Sequence, residues 1–162
     1  RDLGLPFVRI LSTIERHNAF MDDPIQYRGG WVVDLDDLYG LADVKPADVD
    51  LLQTYDDYPV ISLMQIEDLG FCPKGEAAAF VRARDLTFRG DFPHNTSGGQ
   101  LSVGQAGAAG GYVGLVEAMR QLCGIAGANQ VKGAEVALVS GFGMINYDRG
   151  LASAAALLAR AA

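Results

Sequence analysis

Between His94 and Gly111 the chain is a run of glycines and small residues, and it leads straight into an amphipathic segment from Tyr112 to Cys123. Glycine reaches positive backbone angles and lets main chain approach another surface closely. The stretch must therefore turn tightly or pack backbone against something. A helix that starts at its end points unpaired N–H groups, with a partial positive charge, at whatever lies in front. Junctions of this kind hold anions or developing negative charge. No Lys-Ser/Thr ending follows the glycines, so this is not a nucleotide P-loop.

The flanking segments have their own periods. Phe7 to Ile14 is rich in branched residues and reads as a strand. From Glu15 to Gly30 mixed polarity, a proline and a glycine pair predict an excursion over the surface, and Trp31 beside it could cover a substrate or partner. Asp34 is placed to cap a helix carrying Leu35, Leu38, Tyr39 and Leu41 on one face. Lys45 to Asp48 breaks that helix, and Val49 to Thr54 reads as a buried strand. A second helix runs from Val60 to Leu69, with Gly70 as its C-cap. Phe80 to Phe92 reads as extended or looped. Val113, Val116, Met119 and Leu122 are expected to line one face of the next helix. Ala134 to Ser140 is an alternating strand, followed by a turn at Gly141-Phe142-Gly143. The alanines of Leu151 to Ala161 favour a helix on propensity alone. Strands alternating with helices imply an α/β layered domain.

At 162 residues, 49% of them hydrophobic, one domain can bury roughly 70% of its unfolded surface. A net charge of −7 argues against a nucleic-acid groove, which needs clustered Lys and Arg. The acidic residues from Asp34 to Asp57 read as a solvated face. No apolar run approaches membrane-spanning length, and no signal segment opens the chain. Cys72 and Cys123 lack metal-ligand spacing and read as reduced, buried thiols of a cytoplasmic protein. The chain begins with Arg1 and reads as a piece of a larger protein.

Four segments could meet at one edge of the sheet: Thr54 to Tyr58, the Asn95 to Gly111 loop, the Gly141 to Gly143 turn, and Asn146-Tyr147-Asp148. Each has a plain structural reading as well. Tyr55 follows an apolar strand and could be a core ring with a bonded hydroxyl. Tyr147 could plug a loop, and Tyr58 reads as packing. His94 could bind substrate or donate a proton, or simply hold its loop by backbone bonds. Asn95, Ser97, Gly98 and Gly99 shape the loop, and His17 beside Arg16 belongs on the surface. Asp56 and Asp148 point outward or bond to backbone.

Asn95-x-Ser97-Gly98-Gly99, then Gly104-Gln105-Ala106 and a small-residue helix, resembles the second half of the thiolase superfamily. The resemblance covers nearly the whole chain. It implies a mixed sheet flanked by helices, with residues 1–162 forming a single C-terminal domain, the N-terminal half lying outside this chain, and Leu151 to Ala161 forming a final strand. Tyr55-Asp56-Asp57-Tyr58 falls where thiolases carry Asn-Glu-Ala-Phe, or His-Asp-Cys-Phe in the sterol-carrier type. The histidine of the family's Gly-His-Pro falls on Gln105. The last motif, a cysteine followed by glycines, falls on Val139 to Gly143 and has no cysteine. Claisen chemistry needs a thiol nucleophile, a histidine to activate it and an acid–base cysteine. A glutamine only donates and accepts hydrogen bonds, so ordinary thiolase activity is not expected.

The strings Tyr-Asp-Asp-Tyr, Gly-Gln-Ala and Gly-Phe-Gly-Met-Ile-Asn-Tyr resemble the lipid-transfer-protein-like thiolases that act as retro-aldolases in steroid side-chain degradation. That resemblance implies Tyr55 and Tyr147 as the acid–base pair, in either order. It implies Gln105 and the N–H groups around Gly141 and Gly143 as the oxyanion site, with His94 and Asn95 near substrate. No cofactor is implied beyond a coenzyme A thioester as substrate. The implied partners are the N-terminal half, a second copy in a homodimer, and an OB-fold/zinc-ribbon acyl-CoA-binding subunit. Two alternatives stay open. One is an acyltransferase whose cysteine comes from the other half; the other is a non-catalytic module that binds acyl-CoA or lipid.

Overall fold

The computed structural model describes residues 4–105, 107–146 and 149–161. Its centre is a four-stranded mixed sheet in the order β1-β4-β3-β2. Strands β3 (Val136–Asn146) and β4 (Arg149–Arg160) are antiparallel, and β1 (Val8–His17) pairs antiparallel with β4. The short β2 (Leu51–Gln53) runs parallel to β3. Helices α1 (Leu35–Ala42) and α2 (Pro59–Asp68) cover one face through Leu38, Ile66, Leu69, Leu138 and Leu157. Helix α5 (Val113–Leu122) covers the other through Ala118 and Leu122 against Leu51, Ala137 and Leu158. The expected α/β fold with helices on both faces of a mixed sheet is present.

The alanine-rich tail is a strand because both its faces are buried. Leu157 and Leu158 point to opposite layers and are each within 1% of full burial, so pairing on two sides overrides the helical propensity of alanine. Gly70, at φ +83°, ends α2 in the left-handed position that glycine takes without strain. His17 lies on the surface beside Glu15.

Several expectations are corrected. Gly141 to Gly143 is not a turn: β3 continues through it to Asn146, with Gly141 opposite Ala154 and Gly143 opposite Ala152. Trp31 is no surface cover but a core residue with no exposed area, stacked on Phe142 at 5.8 Å. The excursion before it is pinned down, with Gly29 N–H donating to Asp68 and Gly30 N–H to Ser153. A Cβ on Gly29 would lie 2.1 Å from the Trp31 ring, which explains the glycine there. The 80–92 stretch does not begin as a loop. Helix α3 (Ala77–Arg82) opens on the alanine run, and Glu67 accepts from Ala77 N–H. Asp34 makes no side-chain cap on α1; its carboxylate pairs with Arg16. Tyr58 is exposed rather than packed, and both thiols are only partly buried.

Helix α5 splits the face expected of it, burying Leu122 alone. Its inward residues are Glu117, Ala118, Gln121 and Leu122, whereas Val116 and Met119 face outward at 52% and 41% exposure. The remaining helix, α4 (Gly99–Val103), lies in the glycine-rich stretch. Among the described residues no helix is long and apolar enough to cross a membrane, and no group of three or more His, Cys, Asp or Glu side chains could hold a metal.

Candidate active site

After Gln53 the chain leaves the sheet, and the segment around His94 pairs beside it. Leu52 N–H donates to Pro93 C=O and Asn95 N–H donates to Leu52 C=O, forming a parallel bridge between Leu52 and His94. Asn95 then turns with φ +43°, and its Oδ1 accepts from Thr54 N–H at 2.8 Å. His94 Nε2 lies 2.7 Å from Thr54 Oγ1, which in turn donates to Ser62. Desolvation pulls the His94 pKa down to about 4 despite the nearby Asp56 carboxylate. The imidazole is neutral near pH 7 and acts there as a hydrogen-bonded strut. Its loop-holding reading is the one this geometry favours, through a side-chain hydroxyl rather than backbone.

A carboxylate of the chain itself sits at a helix start in this stretch, at α4 rather than at α5, the helix expected to receive an anion. Asp56 is buried, and its Oδ1 accepts from Gln100 N–H at 2.7 Å, in the first turn of α4. Asp56 is thus bonded to backbone, as anticipated. Gly99 has φ +63°, and a Cβ there would lie 1.9 Å from Asp56 Oδ2. Gly99→Ala therefore meets both backbone strain and the carboxylate, and should lose about 1–3 kcal/mol or more of stability. Urea denaturation of the two proteins side by side measures it.

This junction brings the 54–58 segment against the glycine-rich loop. Gln105 Nε2 donates to the Tyr55 hydroxyl at 2.8 Å on the exposed side, while the Tyr55 ring packs against the core cluster to which Leu138 and Phe142 belong. The bonded core ring and the site hydroxyl are the same residue. Burial, then the Asp57 charge, raises the Tyr55 pKa above its usual value; the Gln105 hydrogen bond opposes the rise. Tyr55 is protonated at neutral pH. Behind it, Gln53, Thr54, Asn95, Gln100 and Ser140 line a cavity of about 10 Å³. That is room for one water at most, and on the exposed side the second Gln105 N–H makes no bond within the described residues.

Beneath the cavity is a buried polar relay that periodicity did not reveal. Gln53 Nε2 donates to Thr96 Oγ1, which donates to Glu117 Oε1 at 2.7 Å, and Gln121 Nε2 donates to Glu117. The signal available was two polar residues four apart on α5, opposite its apolar stripe. Tyr55, Gln105, His94 and Asn95 thus share one end of the sheet. Gly141 and Gly143 lie on β3 beyond Ser140 and do not line this cavity, and Tyr147 and Asp148 lie outside the described residues.

Residues 35–153 match the thiolase C-terminal domain-like family. The chain belongs to this family. Sterol carrier protein 2 of Rattus norvegicus is 38% identical over 106 residues, which is 65% of this chain and 19% of that protein. The 17-hydroxy-3-oxo-4-pregnene-20-carboxyl-CoA lyase of Mycobacterium tuberculosis is 41% identical over 103 residues, 64% of this chain and 26% of the lyase. Among solved structures, a chain of an Ltp2-ChsH2(DUF35) aldolase superposes with a TM-score of 0.78 at 26% identity, covering 98% of this chain and 41% of that one. This thiolase C-terminal domain-like chain therefore spans only 19% and 26% of those two relatives' own length. Its similarities extend to a sterol carrier protein and, at 39% identity over 87 residues (54% of this chain, 22% of that protein), to a steroid side-chain-cleaving aldolase of Thermomonospora curvata, as the sequence strings implied.

Proposed function

We propose that this chain is the C-terminal part of a thiolase-like aldolase. It cleaves the carbon–carbon bond of a β-hydroxyacyl-CoA, a steroid side-chain thioester, into a ketone and a shorter acyl-CoA. The observation that carries this reading is the protonated Tyr55 hydroxyl held by the Gln105 amide, in the position where a thiolase needs a proton-exchanging histidine. Retro-aldol cleavage needs no covalent intermediate. A base takes the β-hydroxyl proton, the Cα–Cβ electron pair moves to the α-carbon, and the ketone leaves. The enolate oxygen of the thioester is met by the open Gln105 N–H; a preorganised donor of this kind contributes roughly 3–4 kcal/mol. Tyr55, whose pKa is raised, gives its proton to the α-carbon. Tyr147, starting as its phenolate, takes the hydroxyl proton in this scheme, and passing that proton on to the Tyr55 phenolate restores the starting state. His94 and Asn95 hold the loop that faces the substrate, and no cofactor takes part.

The outward apolar face of α5 supports the need for the N-terminal half of the thiolase fold. Tyr112, Val116 and Met119 form a stripe on a helix whose polar side is already turned inward, the reverse of a solvent-facing helix. In this reading the other half covers the stripe in a cytoplasmic homodimer, with an OB-fold/zinc-ribbon acyl-CoA-binding subunit attached. Val116→Asp is expected to leave the circular dichroism spectrum of this chain unchanged and to abolish its co-elution with the N-terminal half. Retained co-elution would place that half elsewhere.

The reaction itself is tested by incubating the full-length protein and its acyl-CoA-binding subunit with a steroid β-hydroxyacyl-CoA and following ketone release by mass spectrometry. Acetyl transfer between thioesters with no ketone would favour the acyltransferase alternative. Tight binding with neither product would favour the non-catalytic module.

A further inference from the structure

Tyr55 sits just past the end of β2, outside any ladder, so its backbone N–H and C=O need partners from elsewhere. One side chain supplies both. Gln65 of α2 has no exposed surface; its Oε1 accepts from Tyr55 N–H at 3.1 Å, and its Nε2 donates to Tyr55 C=O at 2.7 Å. The same amide donates to Ile61 C=O at 3.0 Å and accepts from the Ser140 hydroxyl of β3 at 2.5 Å. A primary amide has two N–H donors and an oxygen with two lone pairs, and all four are used. The orientation is set by chemistry. Tyr55 N–H can only donate, so Oε1 must face it and the NH₂ must face the carbonyl. The arrangement is that of a strand neighbour exchanging both bonds with one residue, delivered here by a helix side chain.

We infer that Gln65 is a positioning residue. It fixes the backbone of Tyr55 against β3, and through it the hydroxyl that meets Gln105. An apolar residue would fill the same space between α2 and the sheet, yet would leave the Tyr55 N–H and C=O buried without partners. The kinetic consequence rests on the aldolase reading; the geometry does not. Because the clamp acts on orientation, its loss lowers kcat more than it raises KM. Misplacing a reacting group by about 1 Å can cost roughly 100-fold in rate.

The test uses the full-length protein with its subunit, carrying 3-fluorotyrosine at position 55, as wild type, Gln65→Met and Gln65→Glu. For Gln65→Met we expect kcat for ketone release to fall roughly 100-fold with KM within about threefold, and the ¹⁹F line of residue 55 to shift or broaden. In Gln65→Glu the protonated carboxyl can still donate to Tyr55 C=O and accept from its N–H, whereas the ionised form can only accept. Its kcat relative to wild type should therefore recover as pH falls, and its ¹⁹F line should return toward the wild-type position. A residue that only supports folding moves neither the pH profile nor the line of folded protein. A folded Gln65→Met with an unchanged line and kcat within about twofold of wild type overturns the inference. Should Gln65→Met not fold, Ser140→Ala, which removes one bond to the same oxygen, and Gln65→Glu decide it by the same readouts. If wild type releases no ketone at all, the aldolase reading fails, and the ¹⁹F lines alone decide on Gln65.

Discussion

Tyr55→Phe should lower kcat for ketone release by roughly 10²- to 10⁴-fold, the usual contribution of a positioned acid or base, while leaving thioester binding intact. The substitution removes one oxygen and nothing else. The ring keeps its packing against the core cluster to which Leu138 and Phe142 belong. The lost hydrogen bond is to Gln105, which is solvent-exposed and finds water instead, so stability should hardly change. The direction of the pKa displacement makes the prediction more specific. Burial and the Asp57 charge raise the Tyr55 pKa, so the group holds its proton through neutral pH and gives it up only well into the alkaline range. A wild-type rate that persists at neutral pH and falls as Tyr55 ionises, with that alkaline limb missing from the residual activity of Tyr55→Phe, identifies it as the acid. Full activity in the phenylalanine variant would remove Tyr55 from the chemistry and return it to the core.

The parts of this fold legible in the sequence were those set by local pattern. Branched residues marked β1, Pro59 and Gly70 bracketed α2, and Asn95-x-Ser97-Gly98-Gly99 marked the loop that carries Gln105. What misled was pattern whose meaning depends on what lies outside it. The spacing of Val113, Val116 and Met119 correctly reported an apolar stripe on α5, but periodicity cannot say what covers a stripe. Here the sheet takes the face with Ala118 and Leu122, and admits Glu117 and Gln121 because Thr96 and the 129–131 backbone satisfy them. The glycines at 141 and 143 read as a turn because glycine usually ends a strand. In the fold β3 carries on past the end of β2, paired with β4 alone among the described residues, and Phe142 packs over the partner strand at Gly150, where a Cβ would come within 2.1 Å of the ring. Gln65 gave no signal at all. A lone glutamine in an apolar helix has four bonds to make, and only the fold shows that two of them hold Tyr55.

Trp31→Ala should cost about 3–5 kcal/mol, the range for deleting a large buried aromatic. Trp31 is the link between the segment before α1 and the β3–β4 pair. Its ring stacks on Phe142 of β3, its Nε1–H donates to Ala154 C=O of β4 at 2.9 Å, and none of its surface reaches solvent. Truncation would leave a cavity bounded by Phe142 and by Gly29, whose missing Cβ already makes room for the ring. Ala154 C=O would also lose its side-chain donor. Because Gly150 of β4 packs against the Phe142 ring, slack introduced at Trp31 passes to the start of β4. Trp31→Phe tests that coupling: it keeps most of the ring volume and the stack but not the N–H donor. Chemical denaturation should show it to be destabilised by about 1–3 kcal/mol, less than alanine, through the hydrogen bond and the residual void. If both variants denature at the same urea concentration as wild type, the region around Trp31 contributes little, and the excursion is held instead by the bonds from Gly29 and Gly30 to Asp68 and Ser153.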